Sequence, residues 1–502
     1  MEETKWNTRL GLGWAEGLVA VLFFLLLHYI RHRHKHLISW PLLRELPSMI
    51  INFPRTHEWG TTILRAAGGT IAFRGPIFTG MRVVLTCDPC NVEYILKTRF
   101  SNFPKGPDFH EMFHELMGDG IFNTDGDEWQ AQRRTANAHV HSKAFRDFVN
   151  KTSHQLSSDR LVPILRKAAV DGAVIDLQDL TMRYTMDAAC AAVFGEAVGC
   201  LAPELPQVPF VTAMDEAQQA VVARHVLPHK WWKVMRWLGL GMEPLLARGV
   251  HTLDEFVANQ VAQKRLERSG GNGGDLLSIY TTDVSAKTDN YLRDVAVNFL
   301  IAGRDTTGAA LAWFFWLVST HPEVEAKILV ELKEKGTEDL RELHYLHAAL
   351  SETLRLYPSV PLDHKGVVKE DILPDGTTVK PGNMLLYNIY AMGRMHWIWG
   401  NDCLEFKPER WLGQDGKFIP ESGFRYLAFN GGPRTCLGKE VAYVQMKCVA
   451  AAVLPSFELQ VVEGHEVLPK PTVILMMKNG LKMRVKERVA GNLHFPAKII
   501  NV

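Results

Sequence analysis

The longest helical pattern of the chain runs from Thr288 to Thr320 and is apolar on nearly every side in LAWFFWLV. A helix that is apolar all round is typical of a protein interior, and this one would span roughly 45–50 Å at 1.5 Å per residue. It should end at His321, because the residue before a proline resists the helical region. The polar stretch AGRDTT, residues 302–307, lies near its middle and needs an explanation.

Other segments indicate shorter elements. LQDLTMRYTMDAACAAVF has apolar residues at three- and four-residue spacing, which predicts a helix. TIAFRG (70–75) and RVVLTC (82–87) alternate like two strands. RSGGNGGD (268–275) is typical of a surface loop and not of a domain boundary. We therefore predict a mainly α-helical (α+β) fold with small β-sheets, in one domain over residues 37–502.

The N-terminal segment differs from the rest. GLVAVLFFLLLHYI (17–30), extended back to Gly11, provides about the twenty residues that cross a bilayer. A cleaved signal peptide is the alternative, but its positive charge usually precedes the apolar run, whereas here the larger basic cluster follows it and outweighs Lys5 and Arg9. No small-residue cleavage site precedes that cluster. The flanking Arg31, Arg33 and Lys35 predict that the body of the protein lies in the cytosol. Residues 1–36 are thus predicted to be a transmembrane anchor with its basic flank.

Composition narrows the function classes. The chain of 502 residues is 47% hydrophobic and 22% charged, as in globular proteins, and its net charge of +1 argues against nucleic acid binding. Seven cysteines are too sparse for a disulfide framework, and CDPC (87–90) is a lone pair, better explained as a turn than as a zinc or redox site. The chain has no G-x-G-x-x-G after a strand and no P-loop, so any electrons for a redox reaction should come from another protein.

One segment suggests metal chemistry. FNGGPRTCLGKE places Cys436 after a glycine-rich turn and before a predicted helix. Helix N-termini and backbone N–H groups stabilise a thiolate, which is the form that binds metals. Gly431 permits a tight turn, and Arg434 is placed to meet an anion. On these residues alone a buried, purely structural cysteine remains an alternative.

The spacing of this segment is more specific than its chemistry. Phe429, Gly432, Arg434, Cys436 and Gly438 match the haem-binding loop of the cytochrome P-450 family, F-x-x-G-x-R-x-C-x-G, at every fixed position. The rest of the chain resembles the family in the same order. The resemblance implies a cytochrome P-450 fold, a haem b cofactor bound by this loop, and Cys436 as the iron ligand that favours O–O cleavage.

The same resemblance explains AGRDTT as the oxygen-activation motif of the long central helix. It implies that Thr306 and Asp305 handle protons and that Gly303 leaves space above the iron. A threonine hydroxyl can bond to the carbonyl one turn earlier and distort a helix. A helix kink with capped polar groups is the structural alternative.

Further residues carry family roles. Trp129 and Arg133, one turn apart in DEWQAQRR, resemble the pair that holds a haem propionate, and Arg434 and Lys365 are further propionate candidates. A solvated basic helix face is the alternative for Arg133.

Three residues resemble a structural network. Glu352 and Arg355 in ETLR lie three residues apart, on one helical face, and Arg410 in FKPERW completes the set that braces the haem loop in the family. We expect these residues to stabilise the protein and not to take part in catalysis.

The resemblance also implies partners and a location. Electrons should come from a membrane-bound NADPH–cytochrome P-450 reductase that docks on the cysteine side, near Lys439, and O2 is the second substrate. We expect a single-pass protein of the endoplasmic reticulum membrane with its catalytic domain in the cytosol.

The substrate prediction depends on a finer resemblance. FPKGPDFHEMFHELMGDGIFNTDGDEW, YAMGRMHWIWGNDCLEFKPERWL and GGPRTCLGKEVAYVQMK resemble the plant branch that hydroxylates fatty acids and alkanes, and RHVLPHKWWKVMRWLGLG resembles the mid-chain alkane hydroxylases of wax synthesis. This implies hydroxylation of long aliphatic chains. The predicted pocket is apolar, and core packing is the alternative for each member. Its members are Phe103, Phe109, Phe113, Met117, Phe122, Phe299, Ala302, Val360, Leu362, Val473 and Ile474.

Other functions remain open. The same fold could couple phenolic rings or act on an alkaloid or terpenoid. A haem isomerase needs neither O2 nor a reductase, and the intact Asp305–Thr306 pair argues against it. A non-enzymatic haem-binding or steroid-binding membrane protein is the third alternative. The tryptophan-rich segment Val226–Leu240 suits either a helix dipping into the membrane or an internal helix under a loop.

Overall fold

The computed structural model describes residues 3–33, 35, 37–77, 79–226, 231–267, 275–282 and 288–488. Helices dominate this part of the chain. They are α1 (Glu3–His32), α2 (Leu46–Asn52), α3 (Thr56–Ala66), α4 (Pro89–Glu93), α5 (Gly106–Met117), α6 (Gly126–Val140), α7 (Lys143–Leu156), α8 (Val162–Asp171), α9 (Leu177–Phe194), α10 (Pro209–Val226), α11 (Trp231–Trp237), α12 (Glu243–Glu267), α13 (Leu276–Thr282), α14 (Asp289–Thr320), α15 (Pro322–Lys335), α16 (His344–Leu356), α17 (Ile389–Met392), α18 (His396–Trp399) and α19 (Lys439–Val453).

The strands form small sheets. They are β1 (Thr70–Arg74), β2 (Arg82–Thr86), β3 (Val174–Asp176), β4 (Leu362–Lys365), β5 (Asp371–Ile372), β6 (Thr378–Val379), β7 (Met384–Asn388), β8 (Phe457–Val461) and β9 (Lys482–Glu487). The largest sheet has the order β1-β2-β7-β4, in which only the β2–β7 pair is parallel. A three-stranded sheet, β3-β9-β8, and the pair β5-β6 complete the described strands. The predicted mainly α-helical fold with small sheets is confirmed.

Helix α14 passes through the core. The Thr288 hydroxyl accepts a hydrogen bond from the Tyr291 N–H and caps the first turn, and the helix ends before His321 as the proline rule predicts. Trp313, Phe314 and Phe315 are almost completely buried. The predicted bounds and burial of this helix are therefore confirmed.

Helices α9 and α14 cross at short range because of a glycine. A Cβ at Gly308 would lie 2.6 Å from the Met182 sulfur, and the Gly308 carbonyl accepts a 3.0 Å hydrogen bond from the Thr181 hydroxyl. Helix α9 covers the predicted segment LQDLTMRYTMDAACAAVF completely. The two predicted strands are also present, each one residue shorter than expected.

The CDPC segment is a strand-to-helix turn. Asp88 caps α4 by accepting hydrogen bonds from the N–H groups of Cys90 and Asn91. Cys87 is buried, Cys90 is exposed, and all seven cysteines of the chain are free thiols. This geometry agrees with the prediction of a turn.

Two predictions concern segments that are described only in part. Within the residues described, no helix combines enough length with enough apolar character to cross a bilayer. The anchor predicted over residues 1–36 lies partly outside the described residues, and it stays a prediction. The predicted loop 268–275 lies outside them as well, except for Asp275.

Candidate active site

One face of α14 differs from the rest of the helix. Residues 299, 302, 303 and 306 are partly accessible, whereas residues 300, 301, 304, 305 and 307 are buried. Spacings of three and four residues place the accessible positions on one side of a helix. Because every other residue between positions 295 and 315 is buried, we infer that this side borders an internal cavity, and it carries Phe299, Ala302 and Thr306.

Thr306 is held at this cavity by two hydrogen bonds. Its hydroxyl donates to the Ala302 carbonyl at 2.7 Å, which is the predicted bond to the preceding turn, and α14 continues unbroken through it. Its carbonyl accepts a 2.6 Å hydrogen bond from the Ser359 hydroxyl. A Cβ at Gly303 would lie 3.2 Å from the Ala189 Cβ, so this glycine also serves the packing of α14 on α9.

Asp305 faces away from Thr306, toward a buried arginine. The Arg304 guanidinium donates to Asp305 at 2.9 Å and also holds Asp215 of α10, whose side chain is 52% exposed. Burial raises the pKa of Asp305 to about 6, although Arg304 partly offsets this. The carboxyl group is therefore connected to the surface through Arg304. Sequence reasoning missed Arg304 and Asp215; an arginine inside a core helix signalled that an acidic partner was needed.

The loop before α19 positions Cys436. The Cys436 N–H donates to the Phe429 carbonyl at 2.8 Å, which closes the loop. Gly432 has φ +64°, and a Cβ there would lie 2.1 Å from the Leu96 carbonyl oxygen, so only glycine fits. The Cys436 side chain is accessible although protein surrounds it, as expected for a side chain at a cavity wall. Burial raises the pKa of the thiol, whereas the Gly438 N–H, Arg133 and Lys439 act in the opposite direction.

Two arginines approach this loop from α6 and from the loop itself. Arg133 donates to the Thr435 carbonyl at 2.6 Å. Arg434 donates to the Thr124 carbonyl at 2.6 Å and to Asp125 at 2.7 Å, and its guanidinium lies 4.4 Å from the centre of the buried Trp129 ring. Helix α6 and the cysteine loop thus meet where the sequence predicts propionate binding.

Lys365 provides the test of whether a haem fits. Its ammonium group is fully buried and makes no hydrogen bond within the described part of the chain. Burial, followed by repulsion from Lys105, lowers its pKa to about 7. A buried ammonium without an acceptor is costly. Haem propionates are anionic acceptors, and Lys365, Arg434 and Arg133 together suit them, so the residues fit the group.

The predicted bracing network is assembled. The completely buried Glu352 accepts two hydrogen bonds from Arg355, at 2.7 and 2.8 Å, and one from Arg410 at 3.3 Å. Trp411 Nε1 donates to the same carboxylate at 2.9 Å, and Arg355 reaches the Cys403 carbonyl at 2.7 Å. This network joins α16 to the chain before the cysteine loop. Its role in bracing that loop stays a prediction.

The predicted pocket residues separate into two groups. Phe109 and Phe113 of α5 stack at 4.5 Å and share one apolar cluster with Met117, Phe299 and Val473. The second group lies elsewhere: Phe122 is exposed, Val360 is partly buried, Ile474 is buried, and Phe103 packs completely inside the main core, against which Leu362 also packs. For Phe103 the core-packing alternative therefore describes its position better.

Helix α11 carries the predicted tryptophans. Trp232 is buried, 4.1 Å from the Arg224 guanidinium, whereas Trp231, Val234 and Trp237 are exposed. The described helix thus combines one internal anchor with an exposed apolar face. The preceding residues 227–230 lie outside the described part of the chain.

Comparison with known proteins identifies the class. A family model described as Cytochrome P450 matches residues 75–485. The chain therefore belongs to the cytochrome P450 family and is a cytochrome P450 monooxygenase with a haem-thiolate cofactor. The family implies O2 and a redox partner.

Individual relatives refine this similarity. The chain is 44% identical to Cytochrome P450 86B1 of Arabidopsis thaliana, over 95% of this chain and 90% of the relative, and 38% identical to Alkane hydroxylase MAH1 of the same plant, over 90% and 93%. Noroxomaritidine synthase 2 of Narcissus pseudonarcissus is 36% identical, over 94% and 96%. The crystal structure of a Cytochrome P450 (CYP102L1) has a TM-score of 0.72 at 23% identity, covering 89% of this chain and 97% of that one, which supports the fold.

Proposed function

We propose that this monooxygenase hydroxylates C–H bonds of long aliphatic chains, alkanes or fatty acids. The observation that carries the proposal is the apolar cavity wall. Phe299, on the accessible side of α14, packs against the same apolar cluster as the stacked Phe109 and Phe113 of α5, and Ala302 lies on the same side of α14. Such a wall offers area to a hydrocarbon and few polar anchors. The similarity to an alkane hydroxylase supports the same substrate class.

In this proposal the cysteine side holds the cofactor. Cys436 ligates the iron, and the bound haem supplies the chemistry that activates O2. Arg133, Arg434 and Lys365 bind its propionates through hydrogen bonds and charge, with Trp129 packed beside them. The loop residues Phe429, Gly432 and Gly438 shape the cysteine side.

In this proposal, residues of α14 hold and transfer protons. The Thr306 hydroxyl, on the accessible side of α14, is placed to exchange its hydrogen bond with Ala302 for one to a molecule in the cavity. Asp305 accepts a proton that enters near the half-exposed Asp215, and its raised pKa allows it to hold and release that proton near neutral pH. Arg304 orients both carboxylates.

The proposal extends to location and partner. Leu18, Leu22 and Phe23 of α1 expose apolar side chains, which supports a single-pass anchor in the endoplasmic reticulum membrane within residues 1–36 and a catalytic domain over residues 37–502. NADPH–cytochrome P450 reductase would dock near the exposed Lys439, on the side of Cys436.

Microsomes that contain the protein and its reductase test the substrate. We expect NADPH-dependent hydroxylation of a very-long-chain alkane or a long-chain fatty acid, together with a substrate-induced spin shift, and no product from Cys436→Ser. The Cys90→Ser variant, which changes an exposed thiol on α4, should retain full activity. Turnover without NADPH would instead support an isomerase, and a reduced CO spectrum without a thiolate-type Soret band would support a non-enzymatic haem protein.

A second candidate is oxidative phenol coupling. It is favoured by the 36% identity to noroxomaritidine synthases over nearly the whole chain. A phenolic amine in the same microsomal assay separates the two. Turnover of the amine alone, with no lipid product, would contradict the aliphatic proposal.

A further inference from the structure

We propose that His110, His114 and Asp119 form a binding site for a divalent transition-metal ion of the zinc class at the C-terminal end of α5. The Nε2 atom of His110 lies 2.9 Å from Asp119 Oδ1, and the Nε2 atom of His114 lies 3.6 Å from the same oxygen. All three donor atoms fall within 4.8 Å of one another. This site is separate from the cysteine loop and takes no part in the proposed hydroxylation.

The donor set has the chemistry that such ions prefer. Two histidines four residues apart share one helical face, and their ring centres are 5.0 Å apart. Zn–N and Zn–O bonds of about 2.0–2.2 Å place two ligands of a tetrahedral ion roughly 3.3 Å apart. The observed separations of 2.9 and 3.6 Å bracket that value. Two imidazoles and one carboxylate suit Zn2+, Ni2+ or Cu2+ better than Ca2+.

The site is accessible but partly organised before an ion arrives. The side chains of His110 and His114 are 40% and 53% exposed, which leaves room for water as a further ligand. The Asp119 N–H donates to Asp294 of α14 at 2.9 Å, and the Asp119 carbonyl accepts from Gln132 of α6 at 2.7 Å. The backbone of Asp119 is therefore held in place without metal, and only side chains need to adjust.

Neighbouring acids are engaged elsewhere. Glu111 pairs with Lys233, and Glu115 pairs with Arg224 at 2.7 Å and also with Arg236. The helical pattern H-E-M-F-H-E thus turns its histidines toward Asp119 and its glutamates toward α10 and α11. Because both glutamates are paired with cationic side chains, the two histidines and Asp119 form a separate group of possible metal ligands.

An ion at this site would join two elements near the cavity. It would fasten the last turn of α5 to Asp119, which is tied to α6 and α14. Phe109 and Phe113 are on the same helix and belong to the apolar cluster next to the cavity. We therefore expect the bound ion to restrict the movement of α5 away from the cavity.

Zinc titrated into the purified, haem-loaded full chain tests the proposal. Isothermal titration calorimetry should show a site that disappears, or weakens by more than about 100-fold, in the double variant His110→Ala, His114→Ala. Losing a partner that only orients a ligand already costs up to that factor. The matched control is His251→Ala, which changes an exposed histidine paired with Glu255 four residues on in α12 and with no third ligand among the described residues. Any zinc bound by the basic flank 31–36 is common to all variants. The proposal is overturned if the double variant binds as the wild type does, or if the control loses the same site.

Two further measurements identify the ligand and the consequence. Asp119→Asn keeps the backbone hydrogen bonds of this residue and should weaken zinc binding by at least about tenfold. Calcium at the same concentration should give no binding heat. Zinc should slow amide hydrogen exchange over residues 110–123 in the wild type and leave it unchanged in the double variant; slowing in both proteins would contradict the site.

Discussion

Arg133 Nη2 donates a 2.6 Å hydrogen bond to the carbonyl of Thr435, the residue directly before Cys436, and so connects α6 to a loop 302 residues later in the chain. The same guanidinium acts against the effect of burial on the pKa of the Cys436 thiol. One side chain therefore positions the loop and favours the thiolate, which is the form that binds iron.

Replacing Arg133 should weaken the thiolate. In Arg133→Gln the cation is lost, so the pKa of Cys436 should rise and the thiolate-type Soret band of the reduced CO complex should disappear at a higher pH than in the wild type. Reduced CO spectra recorded over a pH series measure this midpoint. Arg134→Gln, on the exposed side of the same helix, should leave the midpoint unchanged. An equal shift in both variants would contradict a specific role of Arg133.

Removing the buried carboxylate should be far more costly than removing an exposed one. Glu352→Gln leaves the buried Arg355 without its counter-charge and removes one of the two carboxylates that pair with Arg410. We expect a loss of about 3–5 kcal/mol of unfolding free energy together with reduced haem content. Glu93→Gln breaks an exposed pair with Lys97 and should cost less than about 1 kcal/mol. Denaturant unfolding and haem content per chain measure both variants. Equal losses of unfolding free energy in the two variants would show that burial of the Glu352 network does not determine the cost.

The raised pKa of Asp305 predicts a pH dependence of stability. Its folded-state pKa of about 6 lies above the ordinary value near 4, mainly because of burial. Between pH ~4 and about 6 the folded protein keeps a proton on Asp305 that the unfolded chain has released. The contribution of this group to the unfolding free energy is therefore fully present below pH ~4 and is lost as the pH rises through about 6. The loss amounts to about 3 kcal/mol.

Asp305→Asn removes this titration. Thermal unfolding of the haem-loaded protein, followed from about pH 4.5 to about pH 7, should fall more steeply with pH in the wild type than in the variant. Parallel profiles for the two proteins would show that Asp305 does not titrate in this range.

Gly432 and Gly416 distinguish a steric clash from backbone strain. Both have positive φ angles, +64° and +74°, but a Cβ at Gly432 would strike the Leu96 carbonyl at 2.1 Å, whereas a Cβ at Gly416 meets no described atom within 4 Å. Gly416→Ala should cost about 1–3 kcal/mol, from strain alone. Gly432→Ala should cost more and displace the cysteine loop, so that haem content falls. Haem content unchanged in Gly432→Ala would refute the requirement for glycine.

Local spacing predicted much of this architecture. The bounds of α9 and α14, the strands β1 and β2, and the turn at Asp88 follow from residues within a few positions of one another, so their determinants are present in short segments. The cysteine loop is similar, since its glycines, arginine and cysteine lie within ten residues. Glu352 and Arg355 could be paired because three residues along a helix place two side chains together.

Contacts between distant segments could not be predicted in this way. Arg304 finds Asp215 89 residues away, Arg133 finds Thr435, and Asn298 holds the Met117 carbonyl, all through the packing of helices whose relative positions no short pattern encodes. The grouping of His110 and His114 with Asp119 likewise depends on the turn at Gly118, which has φ +55°. Phe103 shows the same limit. An apolar residue suits a cavity wall and a protein core equally well, so the two positions can be distinguished only when the packing is known.

The order of residues alone determined the helices and the cysteine loop, because periodicity and motif spacing are properties of neighbouring positions, and the resemblance of these motifs to a known family indicated the class of chemistry. The folded arrangement decided which side of α14 is accessible, which acid Arg304 reaches across the fold, and which ammonium is buried with no acceptor among the described residues. These features depend on which elements, far apart in the chain, pack against each other and exclude water from their contacts. Water is excluded in this way only when the whole domain has packed.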